Sequence, residues 1–342
     1  MKALIMDEER HLIVKDMPKP QEKDENIIIK VEAASICGTD MRTFLKGNAK
    51  IDPPRILGHE CAGTIKEHGY HEGERVTVAP AIGCGQCPAC KKGHTNMCDH
   101  LTTIGFQYEG VFAPYVEIPK QAIIMENVIK LSDNISYDNA SLIEPAACAL
   151  NGQSYMHIEP GDRVVIYGSG IIGCIHAELA FLKGAAKVMI VEPVEKRGKL
   201  AMEKVPGVIW INPFTQNTVE EVMKETDNYG ADVVITATSV PSVHTEAQII
   251  AAKMGRISLF GGLPGESKGH LDSNLIHYKE LQVCGVHATT VYFMKEIMNL
   301  MEEGKLDLGK YVEMTTNIDN IMDAFAAIRD KNIMKVVVHP QE

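Results

Sequence analysis

At 342 residues the chain exceeds what one hydrophobic core usually supports, so two domains are expected. It is 45% hydrophobic and 23% charged, with 34 Lys and Arg against 45 Asp and Glu, a net charge of −11. A field of that sign repels phosphate backbones and anionic lipid, which excludes nucleic acid and membrane surfaces as expected partners. The opening MKALIMDEERHL is too short and too charged for a secretory signal. The most apolar stretch, Arg163 to Leu182, is broken by Gly168, Gly170, Gly173, His176 and Glu178, so it reads as no membrane span. A cytoplasmic location is expected.

The first 120 residues read as short strands and turns. Ile27 to Val31 and Arg75 to Val78 are β-rich runs, and Gly58, Gly63, Gly69 and Gly73 punctuate turns between them. The pattern predicts an all-β lobe with irregular loops. Within it stand Cys37-Gly38-Thr39-Asp40 and, beyond it in sequence, Gly58-His59-Glu60-x-x-Gly63; far downstream comes Glu144-Pro145. One cysteine, one histidine and one carboxylate supply three zinc ligands and leave a fourth position for water or substrate, the open arrangement that catalysis needs.

Nine cysteines is an odd number, and four of them crowd together as Cys84-x2-Cys87-x2-Cys90-x7-Cys98. Without an export signal this points to thiolates and metal rather than to paired disulfides. Four thiolates close a tetrahedron around zinc, so this metal is expected to be structural. An iron–sulfur cluster and a disulfide-paired loop are the competing readings. His94 and His100 lie in or beside the loop and are expected to be solvated.

From about Pro160 the texture changes. Apolar strands Val164–Tyr167, Val188–Val191, Val233–Thr236 and Ile257–Phe260 alternate with helix-length segments, the signal for a parallel sheet wrapped by helices. The first strand runs directly into Gly168-Ser-Gly170-Ile171-Ile172-Gly173 and then a helical segment. Strand before and helix after make this a dinucleotide fingerprint. Gly168 permits the tight turn, Gly170 lets the backbone approach a pyrophosphate, and Gly173 lets helix pack on strand. Glu192 ends the second strand, where an acid engages the adenosine ribose hydroxyls and repels the 2′-phosphate of NADP. NAD is therefore expected, although Lys196 and Arg197 close behind could grip that phosphate. After Gly285 come an amphipathic helix (Phe293, Ile297, Leu300, Met301), the segment Ile321–Ile328 and the strand Lys335–His339. These do not extend the β-α rhythm and are expected to return to the first lobe. The predicted domains are 1–149, 150–285 and the return 286–342.

Taken together, the sequence resembles the zinc-containing medium-chain dehydrogenase/reductase superfamily, on the branch of sorbitol (polyol) and L-threonine 3-dehydrogenases. The likeness runs over essentially the whole chain. It rests on Cys-Gly-Thr-Asp, Gly-His-Glu-x-x-Gly, the cysteine loop, Glu144-Pro145, the glycine fingerprint and His277-Tyr-Lys-Glu. It implies an α/β plus β fold: a doubly wound Rossmann domain binding NAD through Gly168, Gly170, Ile171, Ile172, Gly173, Glu192 and Arg197, beside a GroES-like, mainly β catalytic domain. It also implies Cys37, His59 and Glu144 as ligands of a catalytic zinc (liver-type enzymes carry a cysteine in place of Glu144), with Glu60 entering the coordination sphere transiently. Thr39 resembles the family's proton-passing hydroxyl. Asp40 is a candidate to orient His59, and Cys148 reads as a packed thiol. Many relatives carry a histidine five residues after the first ligand cysteine. Arg42 stands there instead and cannot shuttle a proton near neutral pH; it binds a cofactor phosphate or an anionic substrate group, or has no role. The implied reaction moves hydride from a secondary, polyol-like alcohol to NAD. A threonine or sugar-phosphate dehydrogenase is the alternative, and a non-catalytic crystallin-like member is the alternative of another class. A small-molecule alcohol and a homo-oligomer are the partners that the resemblance implies.

Overall fold

The computed structural model describes residues 1–21, 25–66, 71–263 and 265–341; Gly69, read above as a turn, lies outside them. The chain divides into two compact units, Met1–Ala147 with Ala288–Glu342, and Cys148–His287.

The first unit is built on a largely antiparallel sheet. Its strands run in the order Val128–Lys130, Arg75–Val78, Glu60–Ile65, Ile27–Ser35, Val336–His339 and Met314–Asn317, with Tyr115–Ile118 also on Ile27–Ser35. Ile29, Val31, Ile65, Val76, Val116, Phe325, Val336 and Val338 form part of its core. The strand expected to stop at Val31 continues to Ser35. Its Ala33-Ala34-Ser35 end has weak β preference, but neighbours pair with it on both sides, and that pairing decides. The final strand joins this sheet, with Val337 opposite Ser35. The lobe is not purely β: Gly38–Lys46 is a helix, as are Ile321–Lys331 and Val291–Glu302. Gly58 and Gly73 have the positive φ of turns, at 89° and 83°. Gly63 does not turn; it lies inside the strand Glu60–Ile65, where a Cβ would sit 2.1 Å from the Lys30 carbonyl oxygen.

The second unit holds six parallel strands in the order Ile209–Ile211, Lys187–Val191, Arg163–Tyr167, Ala231–Thr236, Ala251–Leu259 and Gln282–Gly285. Numbered along the chain this is 3-2-1-4-5-6, the doubly wound dinucleotide-binding order. The four strands read from sequence are its centre. The two edge strands were not foreseen, because three or four residues make too short an apolar run. The fifth strand begins at Ala251 and ends at Leu259, one residue before Phe260. The His277-Tyr-Lys-Glu stretch has a packing role here. Lys279 Nζ donates to the carbonyls of Gln248, Ile249 and Ala251 at 3.1, 2.8 and 2.8 Å, capping the end of the helix Val243–Ile250.

His176 sits fully buried in the helix Ile171–Leu182, its ring edge-on to Phe260 and its Nδ1 3.3 Å from Gln153 Nε2. Burial, aided by the charge of Lys183, lowers its pKa to about 3. The folded chain therefore keeps it neutral while the unfolded chain takes up a proton below about pH 6.5. Stability from this group is complete above that pH and falls by about 1.4 kcal/mol per unit down to the folded pKa. Urea unfolding followed from pH 7 to 5 should show a slope that His176→Gln reduces by one proton. Equal slopes in the two proteins would place the ring's protonation elsewhere.

Among the described residues no helix is long and apolar enough to cross a membrane.

Candidate functional site

Sheet register assembles one end of the first unit. Ile27–Ser35 and Glu60–Ile65 pair so that Ser35 faces Glu60, and on the other side Ser35 faces Val337. Cys37, His59, Glu60 and Lys335 are thus delivered to one place by three strand ends. Cys37 N-caps the helix Gly38–Lys46: its sulfur accepts from Thr39 N at 3.4 Å, and Asp40 Oδ2 accepts from Cys37 N at 2.9 Å. This reciprocal cap satisfies first-turn donors and fixes both side chains.

Ligand atoms of Cys37, His59 and Glu60 lie within 4.8 Å of one another. Glu144 is not in this group; it is buried in the first turn of the helix Ile143–Ser154. Ser141, shortly before it, accepts through its carbonyl from Ser35 Oγ at 3.1 Å. Asp40 Oδ1 stands 3.6 Å from His59 Nδ1, an ion-pair distance rather than the hydrogen bond expected from sequence.

Glu60 is 0% exposed and its Oε2 accepts from Ser35 Oγ and from Lys335 Nζ, the latter at 2.5 Å. Lys335 is 2% exposed and also donates to the Ile36 carbonyl at 2.9 Å. Burial works most strongly against the Glu60 carboxylate, but the charges of Lys335 and His59 and the hydrogen bonds from Lys335 and Ser35 together outweigh it and hold the group below the usual range. Sequence reasoning missed Lys335 and Ser35. The signal for Lys335 was a lone lysine opening an apolar terminal strand.

Thr39 Oγ1 accepts from Arg42 Nη2 at 2.9 Å, so the exposed Arg42 does have a partner in the site.

The cysteine loop closes on itself. Sulfurs of Cys84, Cys87, Cys90 and Cys98 lie within 4.8 Å of one another, and all nine cysteines of the chain are free thiols. Backbone amides serve the sulfurs: Cys84 N and His100 N donate to Cys98 Sγ, each at 3.2 Å, and Gln86 N and Cys87 N to Cys84 Sγ, each at 3.4 Å. Backbone N–H groups of Cys90 and Asp99 lower the Cys87 thiol to about 6. The side chains of His94 and His100 are exposed, as expected.

In the second unit Gly168 has φ 98° and Gly173 packs so tightly that a Cβ would lie 1.9 Å from the Gly168 carbonyl oxygen. At Gly170 a Cβ would meet nothing within 4 Å, and no side chain caps the helix Ile171–Leu182 that follows through Ile171 and Ile172. Glu192 is buried, while Arg197 is half-buried and Lys196 exposed.

Family models match in two places: the alcohol dehydrogenase GroES-like domain over residues 23–129 and the zinc-binding dehydrogenase domain over residues 172–303. The L-threonine 3-dehydrogenase of Pyrococcus furiosus is 34% identical over 95% of this chain and 94% of its own length. The chain belongs to the zinc-dependent medium-chain dehydrogenase superfamily. The sorbitol dehydrogenase of Bacillus subtilis is 28% identical over 99% and 97% of the two chains. A zinc-binding dehydrogenase structure from Sinorhizobium meliloti, solved with NADP, superposes with a TM-score of 0.91 at 28% identity over 99% of each chain.

The residues of this dehydrogenase fit the metal that the family carries. His59 Nδ1 and Glu60 Oε1 are buried and have no hydrogen-bond partner among the described residues; a cation near them answers a cost that protein groups leave unmet. The four-cysteine loop fits a closed tetrahedral zinc, since its sulfurs already receive amide donors suited to thiolates. Cys90→Ser should lower zinc from two to one per chain and cost at least about 3 kcal/mol of stability, with turnover per remaining zinc little changed. Metal analysis, thermal melting and kinetics on zinc-incubated protein check this; unchanged melting with lost turnover would put the loop in catalysis. The fingerprint fits a dinucleotide: the space beside Gly170 and the uncapped amides of the helix start form an anion cradle.

Proposed function

We propose that this dehydrogenase oxidises a secondary, polyol-like alcohol to a ketone with NAD, using one catalytic and one structural zinc. The observation that carries the reading is the Cys37–His59–Glu60 group, which supplies three donors and so stands one short of a closed tetrahedron. Zinc held there supplies a Lewis acid that makes a bound alcohol easier to deprotonate, and NAD supplies the hydride acceptor. Cys37 and Glu60 offer negative charge and His59 a neutral donor. Lys335 holds Glu60 Oε2, while Oε1 is without a hydrogen-bond partner among the described residues. Thr39 takes the alcohol's proton at Oγ1. Arg42 orients that hydroxyl but, being a donor only, passes no proton on, so the proton leaves to water. Gly168, Gly170, Ile171, Ile172 and Gly173 bind the pyrophosphate, with Glu192 and Arg197 at the adenosine ribose. The free thiols suit a reducing compartment, and we place the enzyme in the cytoplasm as a homo-oligomer.

The test is the rate of NADH formation by zinc-replete enzyme over polyols, vicinal diols, threonine and sugar phosphates, each with NAD and NADP. The expected result is the highest kcat/KM with a neutral polyol and NAD. Turnover confined to threonine or a sugar phosphate would overturn the substrate class. No turnover on any alcohol would overturn the reaction.

A further inference from the structure

Ser169 is the middle residue of the Gly168-Ser169-Gly170 turn. It is 0% exposed, and it meets Glu192 twice: its backbone N donates to Glu192 Oε2 at 2.9 Å and its hydroxyl to the same oxygen at 3.0 Å. Its carbonyl accepts from Cys174 Sγ at 3.5 Å, which anchors the turn to the helix behind it. Glu192 is itself 4% exposed; its Oε1 accepts from Val194 N at 2.9 Å, and its carbonyl from Trp210 Nε1 at 2.9 Å. The ribose-reading carboxylate is therefore pinned at both oxygens, and one of the pins is a side chain of the pyrophosphate turn.

We propose that Ser169 is a positioning residue that sets the preference for NAD over NADP by fixing the Glu192 carboxylate. The inference rests on the NAD reading above. A carboxylate accepts about four hydrogen bonds. Three of these directions are filled by protein donors, which leaves one for a ribose hydroxyl. A 2′-phosphate needs Glu192 to swing aside. That movement strands the Ser169 amide and hydroxyl in a buried place, and each stranded donor is costly. Removing the hydroxyl removes one of the two tethers on Oε2. The carboxylate then yields more easily to a phosphate and is less well ordered for the ribose.

The test measures Kd for NADH and NADPH on the zinc-loaded protein, by quenching of Trp210, the single tryptophan. Melting of the cofactor-free variants controls for folding. Ser169→Ala should narrow the NADH-over-NADPH preference about tenfold. In a Glu192→Ala background the same substitution should have no effect on the ratio, since it acts through the carboxylate. An unchanged ratio in Ser169→Ala of an NADH-preferring wild type overturns the role of Ser169 alone. An equal effect in the Glu192→Ala background also overturns it, by showing a direct contact with cofactor. A wild type that binds NADPH more tightly overturns the NAD reading and this proposal with it.

Discussion

Glu60→Gln should lower turnover at least about 100-fold and reduce zinc from two per chain to one, leaving the cysteine-bound metal in place. Glu144→Gln should retain both metals and lose less activity. Glu60 has a buried Oε1 without a hydrogen-bond partner among the described residues, and one of its carboxylate oxygens lies within 4.8 Å of ligand atoms on Cys37 and His59. The amide that replaces it is neutral and a poorer donor, and the site has only one other anionic member in that group. Glu144, which the family resemblance implies as a ligand, lies outside the Cys37–His59–Glu60 group, in the first turn of the helix Ile143–Ser154. NADH binding should be intact in both variants, because the glycine turn and Glu192 belong to the other unit. Metal analysis beside kinetics reads the order of the two effects. If Glu144→Gln empties the site while Glu60→Gln keeps it filled, the ligand set is Cys37, His59 and Glu144, as the family resemblance implies.

Lys335→Met should destabilise the protein by about 3–5 kcal/mol, one of the largest single-residue losses available in the first unit. It leaves the Glu60 carboxylate fully buried with Ser35 as its remaining side-chain donor. The double variant Lys335→Met with Glu60→Gln should recover much of that loss, because the penalty belongs to the uncompensated charge rather than to the missing bond. Urea unfolding of the three variants at neutral pH measures this. Equal stability of Lys335→Met and wild type would mean that Glu60 is satisfied by another group.

Both expectations turn on contacts that sequence spacing does not carry. The cysteine loop and the glycine turn were legible because each is local: a dozen or so consecutive residues contain the donors, the turn-forming glycines and the helix start. The central parallel strands were legible for the same reason, as unbroken apolar runs. What escaped was set by register. Glu60 meets Lys335 across 275 positions because the strands that carry them pair on either side of Ser35, and the lone lysine opening the terminal strand does not name its partner. The choice between Glu60 and Glu144 rests on the family resemblance alone, since either carboxylate satisfies the chemistry. Gly63 was misread as a turn because a glycine that permits close strand approach looks the same in sequence as one that bends the chain. Ser169 passed unnoticed because the fingerprint leaves that position open.

The route by which the last strand reaches the site has a consequence for synthesis. Every proposed metal ligand lies within the first 144 residues, but the ammonium that neutralises Glu60 comes from position 335. A chain still emerging from the ribosome can therefore finish its cysteine loop early, while its reacting centre waits for the terminal strand to slot in beside Ser35. Translation that stops short of that strand leaves Glu60 buried without its ammonium partner.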